Sequence, residues 1–534
     1  MGFGADPATR SPSEFVERLY RSSNSYADRL SAEELDWVDV DLGLNEHMLA
    51  LASEGLQVLV TGNPGDGKTH VIERLRPDLE KIGTQVLTDA NVLSDREILT
   101  HWRACHEAGR PMVLAINEWP LFVLRRHPLA QDFEPLGEAL RQVQQAVYYG
   151  DQHPPAACQQ VRVIDLSLRN VLAPSVVLAV IDRLCDPRFY RGLTAGDPAI
   201  SNRDAMSTPR VRERLTALLH EVAKRGHHAT MRQLVGFIAY VITGGRPMAD
   251  RLAGRQLHVQ HYAHLAFEGG VGPLFDAIRA SFDPATVTHP RHDTELWRGS
   301  TDPAKWSGMA TPGGVQSLPN DDRVDAYRFL KRRFYFEHLA GEDLLRMLPL
   351  DERRFDALAS SGTDGGSNVV RDLLLALNRF YEPNCPDTER DQLVLWQSHR
   401  FDVRAPDTFL SLHAVPASRF RINPSRIAPW VEAWLRPEQR LTATFALAIV
   451  DGHGSATRLI VDRSLYLTLA EAHWGLGRAS WSRSATRRVT RFVDQIHNSV
   501  DLADSDIVDV RIRNVVRDIE AKIEIQRQPA RYRL

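Results

Sequence analysis

The sequence predicts an α/β protein: a P-loop-type parallel sheet flanked by helices, followed by a helical lid and a mixed α+β C-terminal region. Three observations predict it. Four apolar runs of strand length, Leu56–Gly62 (LQVLVTG), Thr84–Ala90 (TQVLTDA), Pro111–Glu118 (PMVLAINE) and Val161–Ser167 (VRVIDLS), alternate with amphipathic stretches, the texture of strands buried on both faces. The first run passes through Gly62-Asn63-Pro64-Gly65-Asp66-Gly67-Lys68-Thr69 into a helical pattern, the strand, glycine loop and helix order of a phosphate-binding loop. Further on, PRVRERLTALLHEVAKRG and TMRQLVGFIAYVITGG read as two helices, the second closed by paired glycines.

The 534 residues exceed one ordinary core and imply several domains. Apolar residues make up 43% and charged residues 25%, which excludes a largely disordered or collagen-like chain. The formal net charge is −3, so any nucleic-acid contact has to come from a local basic face. Cys105, Cys158, Cys185 and Cys385 form no Cys-x-x-Cys pair, which argues against a disulfide framework or a cysteine zinc site. The N-terminus lacks the apolar core of a signal peptide, Asp6 stands where a myristoylation signal needs Ser or Thr, and no window approaches ~18 apolar residues. The expectation is a cytoplasmic protein with no membrane partner.

Changes of texture divide the chain. Residues 1–50 read as a helical lead-in, 51–205 as the core with the glycine loop, and 206–256 as the lid. Residues 257–320, richer in Gly, Pro and Trp, read as an irregular connector, and 321–534 as an α+β region for partner or DNA binding. In that last part, strands are expected in RFDVRAPDTFLSLHAVP and SDIVDVRIRNVVRDIEAKIEIQ, and a long helical region around Leu465–His497.

The loop matches G-x-x-x-x-G-K-[ST] at each fixed position. Glycines at 62, 65 and 67 let the backbone take positive φ and turn its N–H groups inward around phosphates, while the new helix aims its N-terminus at the same charge. Lys68 is expected on the β- and γ-phosphates and the Thr69 hydroxyl on Mg²⁺. Asn63, Pro64, Asp66 and the following His70 are counted with the nucleotide site. A hydrolase also needs a carboxylate at the end of a neighbouring strand. MVLAINE supplies Asn117, where the acid that holds the Mg²⁺ water is usual, and Glu118, placed to take a proton from attacking water. In IDLSLRN, Ser167 or Asn170 is positioned to orient that water, with Arg169 beside them. Arg232, at the start of the second lid helix, is placed to touch the γ-phosphate. No [NT]-K-x-D guanine-reading motif occurs, so ATP is the expected nucleotide.

These spacings resemble the AAA+ and related STAND ATPases over about 190 residues. Glu118 stands where the catalytic glutamate of the additional-strand P-loop ATPases sits. The resemblance implies ATP with Mg²⁺, a homo-oligomer or hetero-complex, and an arginine finger from a neighbouring subunit, for which IDRLCDPRFYRGL offers Arg183, Arg188 and Arg191, Arg188 being the choice. With GNPGDGKTH, LAINEWPL, IDLSLRN and the region LIVDRSLYLTLAEAHWGLGRASWSRSATRRVTRFVDQI, the chain also resembles ATP-binding proteins of bacterial antiphage systems, and among them the DNA-phosphorothioation-dependent restriction ATPases. That implies a motor or switch acting with defence partners on DNA. Asn117 in place of aspartate favours a second reading, an ATP-gated scaffold with slow hydrolysis.

Three further patterns have competing readings. Asp506, Asp509, Glu520 and Lys522 are spaced loosely like a D…E-x-K nuclease, against an ordinary amphipathic strand. LKRRFYFEH and SWSRSATRRVTRF combine cations with Phe334 and Trp481 and could hold DNA backbone. On a helix, however, Phe329, Tyr335, Phe336 and Leu339 read as core with the cations facing water. His258, His261 and His264, three apart, would share a helical face, yet no acid or cysteine accompanies them as a metal partner.

Overall fold

The computed structural model describes residues 12–20, 31–40, 42–88, 90, 93–148, 160–253, 257–299, 314–344, 350–361, 368–396, 408–424, 430–431, 433–440, 444–450, 456–474, 481–499, 507–514 and 519–526. The chain forms two compact units. The first comprises Met1–Met347 with Ile427–Leu441, the second Leu348–Arg426 with Thr442–Leu534.

In the first unit the four expected strands form: β1 (Gln57–Thr61), β2 (Gln85–Leu87), β3 (Met112–Ala115) and β4 (Val161–Asp165). They pair in parallel in the order β2-β3-β1-β4. Side chains alternate between the faces. Val58, Val60, Val113 and Ala115 pack with Leu44, Met48, Ile72, Leu75 and Leu79 of the helices Leu44–Ser53 and Lys68–Lys81. Leu59, Met112 and Leu114 point the other way, onto Ile98, Leu99, Trp102 and Leu136. Burial on both faces is why these runs are continuously apolar and legible as strands.

One implication of the resemblance is corrected here. No additional strand separates β1 from β3 among the described residues; the two are direct partners from Gln57↔Met112 to Val60↔Ala115. The Ile116 N–H then donates to the Val60 carbonyl at 3.0 Å, so the end of β3 abuts the start of the glycine loop.

The helices Pro209–Lys224 and Met231–Thr243 form as expected. A reciprocal Thr230/Gln233 capping box starts the second and Gly244, at φ 64°, ends it. The described part of the 257–320 segment is not an irregular connector. The helices Tyr262–Leu265, Pro273–Phe282 and Pro290–Arg298 bury Tyr262, Leu274, Phe275, Ile278 and Leu296 in the same core as the lid. Its glycines and prolines break it into short helices. The helix Asn320–Glu337 joins that core too, so the first unit extends well past residue 320.

That helix also corrects the reading of its cations. They face neither water nor DNA. Lys331 pairs with Asp293 at 2.6 Å, Arg332 with Asp283 at 2.5 Å and Glu268 at 2.8 Å, and Arg333 with Glu337 at 2.6 Å. All three cations are buried, whereas Leu339, expected in the core, is exposed. Phe334 stacks on His338 at 4.1 Å, leaving no face for a base. His261 caps the helix Tyr262–Leu265 after a 3-10 turn at Leu257–Gln260, so the three histidines do not share one helical face. Burial pushes the His261 imidazolium down to about 3, helped by Arg333 and His264. Among the described residues no cluster of three or more metal-capable side chains occurs.

The second unit holds two antiparallel sheets, β11-β10-β6-β5 and β7-β8-β9. The strands are β5 (Gln392–Trp396), β6 (Thr408–Pro416), β7 (Phe420–Pro424), β8 (Thr444–Val450), β9 (Ala456–Asp462), β10 (Ile507–Asn514) and β11 (Ile519–Gln526). The expected long helix is two, Arg463–His473 and Arg483–Ser499. In the nuclease pattern, the register sets Asp509 opposite Glu524 and Glu520 opposite Arg513, so Asp509 and Glu520 are not partners across the strands; Asp506 lies outside the described residues. Among the described residues, Cys105, Cys185 and Cys385 form no disulfide, and Cys158 lies outside them. Among the described residues no helix is long and apolar enough to cross a membrane.

Removing one member of a buried ion pair leaves its partner charged and dry. Arg332→Ala should therefore cost about 3–5 kcal/mol in urea unfolding of the first unit. Arg332→Met combined with Asp283→Asn, which keeps the Ala285 N–H partner, should recover most of that loss.

Candidate functional site

The loop between β1 and the helix Lys68–Lys81 bends at its three glycines, with φ of 131° at Gly62, 99° at Gly65 and 96° at Gly67. Two of them are also required by space. A Cβ on Gly62 would lie 2.9 Å from Asp66 Oδ2 and 3.2 Å from the Ser167 nitrogen. One on Gly65 would meet Thr230 Oγ1 at 3.1 Å and Arg232 Cβ at 3.2 Å. The Lys68 ammonium curls back over the loop and donates to the Gly62 and Asn63 carbonyls, both at 2.9 Å. A cation held over inward-turned backbone at a helix N-terminus can receive an anion of phosphate size. Thr69 Oγ1 donates to the Thr88 carbonyl at the end of β2, at 3.5 Å.

Neighbouring elements bring several expected residues to this loop. Asn117 caps the helix Glu118–Leu124 without a side-chain hydrogen bond, leaving its amide uncommitted to the cap. Glu118 opens that helix on an exposed rim. Burial of its inner side and the negative charge of Asp165 raise its carboxyl above the usual range. Ser167 lies in the 3-10 turn after β4, and its N–H donates to Asp165 Oδ1 at 2.9 Å. The Arg232 N–H donates to the Gly65 carbonyl at 3.1 Å, so the first turn of the lid helix rests on the loop itself.

Other expected residues are committed elsewhere. The Asn170 side-chain oxygen accepts the Leu172 N–H at 3.1 Å in the turn before the helix Pro174–Leu184, which commits that oxygen locally. His70 Nε2 lies 3.1 Å from Asp39 Oδ1, and that hydrogen bond holds the Asp39 carboxyl below its usual value. Thus His70 secures the helix Ala32–Val38, whose C-cap is Asp39. Arg188 sits on the turn Pro187–Tyr190, 3.4 Å from Asp186 and over the Phe189 ring; no described hydrogen bond or ion pair joins it to the loop. A cavity of about 570 Å³, lined by Arg125, Asp132, Phe133, Glu134 and Arg141 among others, shares no residue with the loop.

Asp66 and Arg169, both named from the sequence, have surroundings that the sequence does not show. Asp66 is buried inside the loop. Its Oδ2 accepts the Asn63 N–H at 2.6 Å, and its Oδ1, without a hydrogen bond, lies 3.9 Å from His228 Nε2. Burial raises its carboxyl, against the pull of the Asn63 hydrogen bond and of His228 and Lys68. Arg169, only 3% exposed, lays its guanidinium 4.9 Å from the Trp434 ring, with Nε and Nη2 unpaired. Burial lowers it to about 10, while Asp66 pulls the other way. Trp434 belongs to the returning segment, whose Gln439 carbonyl accepts the Asn170 N–H at 2.8 Å. Asp165 ended a legible strand and was overlooked in favour of Ser167. Trp434, remote in sequence, carried no local signal.

Compared with known proteins, the chain matches no family model, no curated protein and no solved structure.

Asp66 provides a pH test with a fixed sign. Its folded pKa is raised, so the native state holds a proton that the unfolded chain has lost, and Asp66 lowers stability as pH rises from about 3.9 through the raised value. Asp66→Asn keeps an acceptor for the Asn63 N–H. The variant should melt higher than wild type at pH 7, and the difference should shrink toward zero near pH 3. A gain of equal size at both pH values would contradict a buried, reluctant carboxylate.

Proposed function

We propose that the chain is an ATP-binding and ATP-hydrolysing switch or motor of P-loop type. The observation that carries this is the loop Gly62–Thr69. Its positive-φ glycines, inward ammonium and position between β1 and a helix make a phosphate cradle, and its surroundings leave no space for side chains at two of those glycines. In this reading the loop N–H groups and Lys68 hold the phosphates, with Thr69 and Asn117 toward Mg²⁺. When bound, Mg²⁺ would neutralise phosphate charge. Glu118, from the strand directly beside β1, accepts the proton of the attacking water. A carboxyl raised toward working pH is a better base than an ordinary glutamate.

The resemblance in motifs supports placing this switch in a bacterial antiphage or DNA-processing assembly. The lid helix resting on Gly65 supports an AAA+/STAND-like use of nucleotide, in which occupancy of the loop moves the lid, although the strand order departs from the additional-strand class. Asn117 favours the second reading, a slowly hydrolysing ATP-gated scaffold, because an amide holds a metal-bound water less firmly than a carboxylate. In either reading the developing charge on the γ-phosphate calls for an arginine, and Arg188 of a neighbouring copy is the candidate.

The test is nucleotide binding by calorimetry alongside steady-state turnover. Lys68→Ala should lose ATP binding with little change in the melting of the apo protein. Glu118→Gln should bind ATP like wild type and turn it over at least about 100-fold more slowly. Wild-type turnover should climb as pH rises through the raised Glu118 value, because only the carboxylate accepts a proton. Undiminished ATP affinity in Lys68→Ala would remove the P-loop assignment, and wild-type turnover in Glu118→Gln would remove the base. If Arg188 acts across subunits, turnover per chain should increase with protein concentration, and mixing Arg188→Ala with Lys68→Ala chains should restore part of it.

A further inference from the structure

The two basic segments have opposite fates. On Asn320–Glu337, Lys331, Arg332 and Arg333 are each buried against an acid. On Arg483–Ser499, one arginine follows that pattern: Arg488 pairs with Asp462 at 2.6 Å and also donates to the Ile460 carbonyl. Arg483, Arg487 and Arg491 do not. All three are exposed and make no hydrogen bond or ion pair among the described residues. The Ala485 N–H donates to Ser482 Oγ and fixes where the helix begins. Ala485, Val489, Phe492, Val493 and Ile496 bury the opposite face in the core of the second unit, so this face cannot rotate away. Successive positions four apart put the arginines in one row with steps of about 6 Å.

Helix stability does not account for the row. Cations in the first turns oppose the helix dipole, and arginines four apart repel one another. The one acid of the helix, Asp494, comes after the last arginine and forms no ion pair among the described residues. A polyanion lying along the row removes both penalties at once.

We propose that Arg483, Arg487 and Arg491 form a binding surface for the phosphate backbone of a nucleic acid. The row is about 12 Å long, the axial span of three to four phosphates of one strand in duplex DNA. Guanidinium is the side-chain group best shaped for paired hydrogen bonds to phosphate. Trp481, at the head of the helix, packs on Phe380 at 4.6 Å, so that ring is engaged in the core of the unit. The surface therefore reads backbone charge and not sequence, by contact with phosphates and without base stacking. It does not depend on the nucleotide reading, since its residues belong to the second unit and the glycine loop to the first.

The experiment is fluorescence anisotropy of the full chain, without nucleotide, with labelled 20-nucleotide duplex DNA, single-stranded DNA and RNA across a salt series. Arg483→Gln/Arg487→Gln/Arg491→Gln should weaken binding by at least about tenfold. For duplex DNA it should also flatten the slope of log K against log salt by about 2.7, three phosphates at about 0.9 each. A control with the same charge change, Arg96→Gln/Arg110→Gln/Arg126→Gln, should leave both nearly unchanged. Both triple variants alter exposed side chains only, and melting curves verify their folding. Equal affinity and slope in the row variant and wild type would overturn the proposal. So would equal losses in the control, or tighter wild-type binding to poly-glutamate or phosphatidylserine vesicles than to every nucleic acid tested.

Discussion

The glycine loop is pinched from two sides, and the arrangement of the first unit's candidate site depends on that pinch. The turn after β4 brings Leu166 and Ser167 to within 3.2 Å of where a Cβ on Gly62 would be. The start of the lid brings Thr230 and Arg232 equally close to Gly65. A side chain at either position would have to push apart two elements whose placement is set by cores on opposite sides of the loop. The two glycines therefore serve a packing need as well as a conformational one. The same closeness lets the lid backbone donate directly to the Gly65 carbonyl. Anything that reshapes the loop, an incoming phosphate above all, must also shift the hydrogen bond that seats the lid.

Direct pairing of β1 with β3 then decides which side chains surround the loop. Parallel strands deliver their C-terminal ends to one edge of a sheet. With β3 on one side of β1 and β4 on the other, Asn117 and Glu118 arrive from one flank and Asp165 from the opposite one. Burial first, and the charge of Asp165 second, raise the Glu118 carboxyl. A desolvated acid with a second acid nearby is a recurrent way to raise a carboxyl toward neutrality.

The sheet and the loop were legible in the sequence because their signals are local. Strands covered on both faces must be apolar throughout, a run such as VLAI has one reading beside a glycine loop, and a positive φ calls for glycine. Signals that depend on remote partners were not legible. Lys331 and Arg332 look in sequence like a solvated basic face, because the acids that let them be buried, Asp293, Asp283 and Glu268, lie far back in the chain; Arg333 uses Glu337 of its own helix. The 257–320 segment looked irregular because its helices are short and interrupted, and their apolar faces acquire meaning only against the lid. His70 and the side-chain oxygen of Asn170 sit within motif-like stretches but are engaged by Asp39 and by a local turn. The β-strands of the second unit are antiparallel and partly masked by loop-like composition, so only some of them stood out.

Arg169 shows how far the loop's surroundings are from an electrostatic minimum. A buried guanidinium with unpaired nitrogens carries a desolvation cost that a stacked tryptophan offsets only in part. Asp66, the acid that draws it, is itself buried, has one oxygen without a partner and would be more comfortable neutral. Two opposite charges in one dry region without a hydrogen bond between them form a compromise and not a finished ion pair. Such an arrangement is costly in a purely structural turn, where apolar packing would be cheaper. Beside a loop that receives phosphate, as proposed above, it has a physical use. Anionic oxygens entering the cradle would add attraction for Arg169 and repulsion for Asp66, and the balance among Arg169, Asp66 and the lid's His228 would move with occupancy. The segment bearing Trp434, hydrogen-bonded next to Arg169 through Asn170 and Gln439, is packed where such a shift would first be felt.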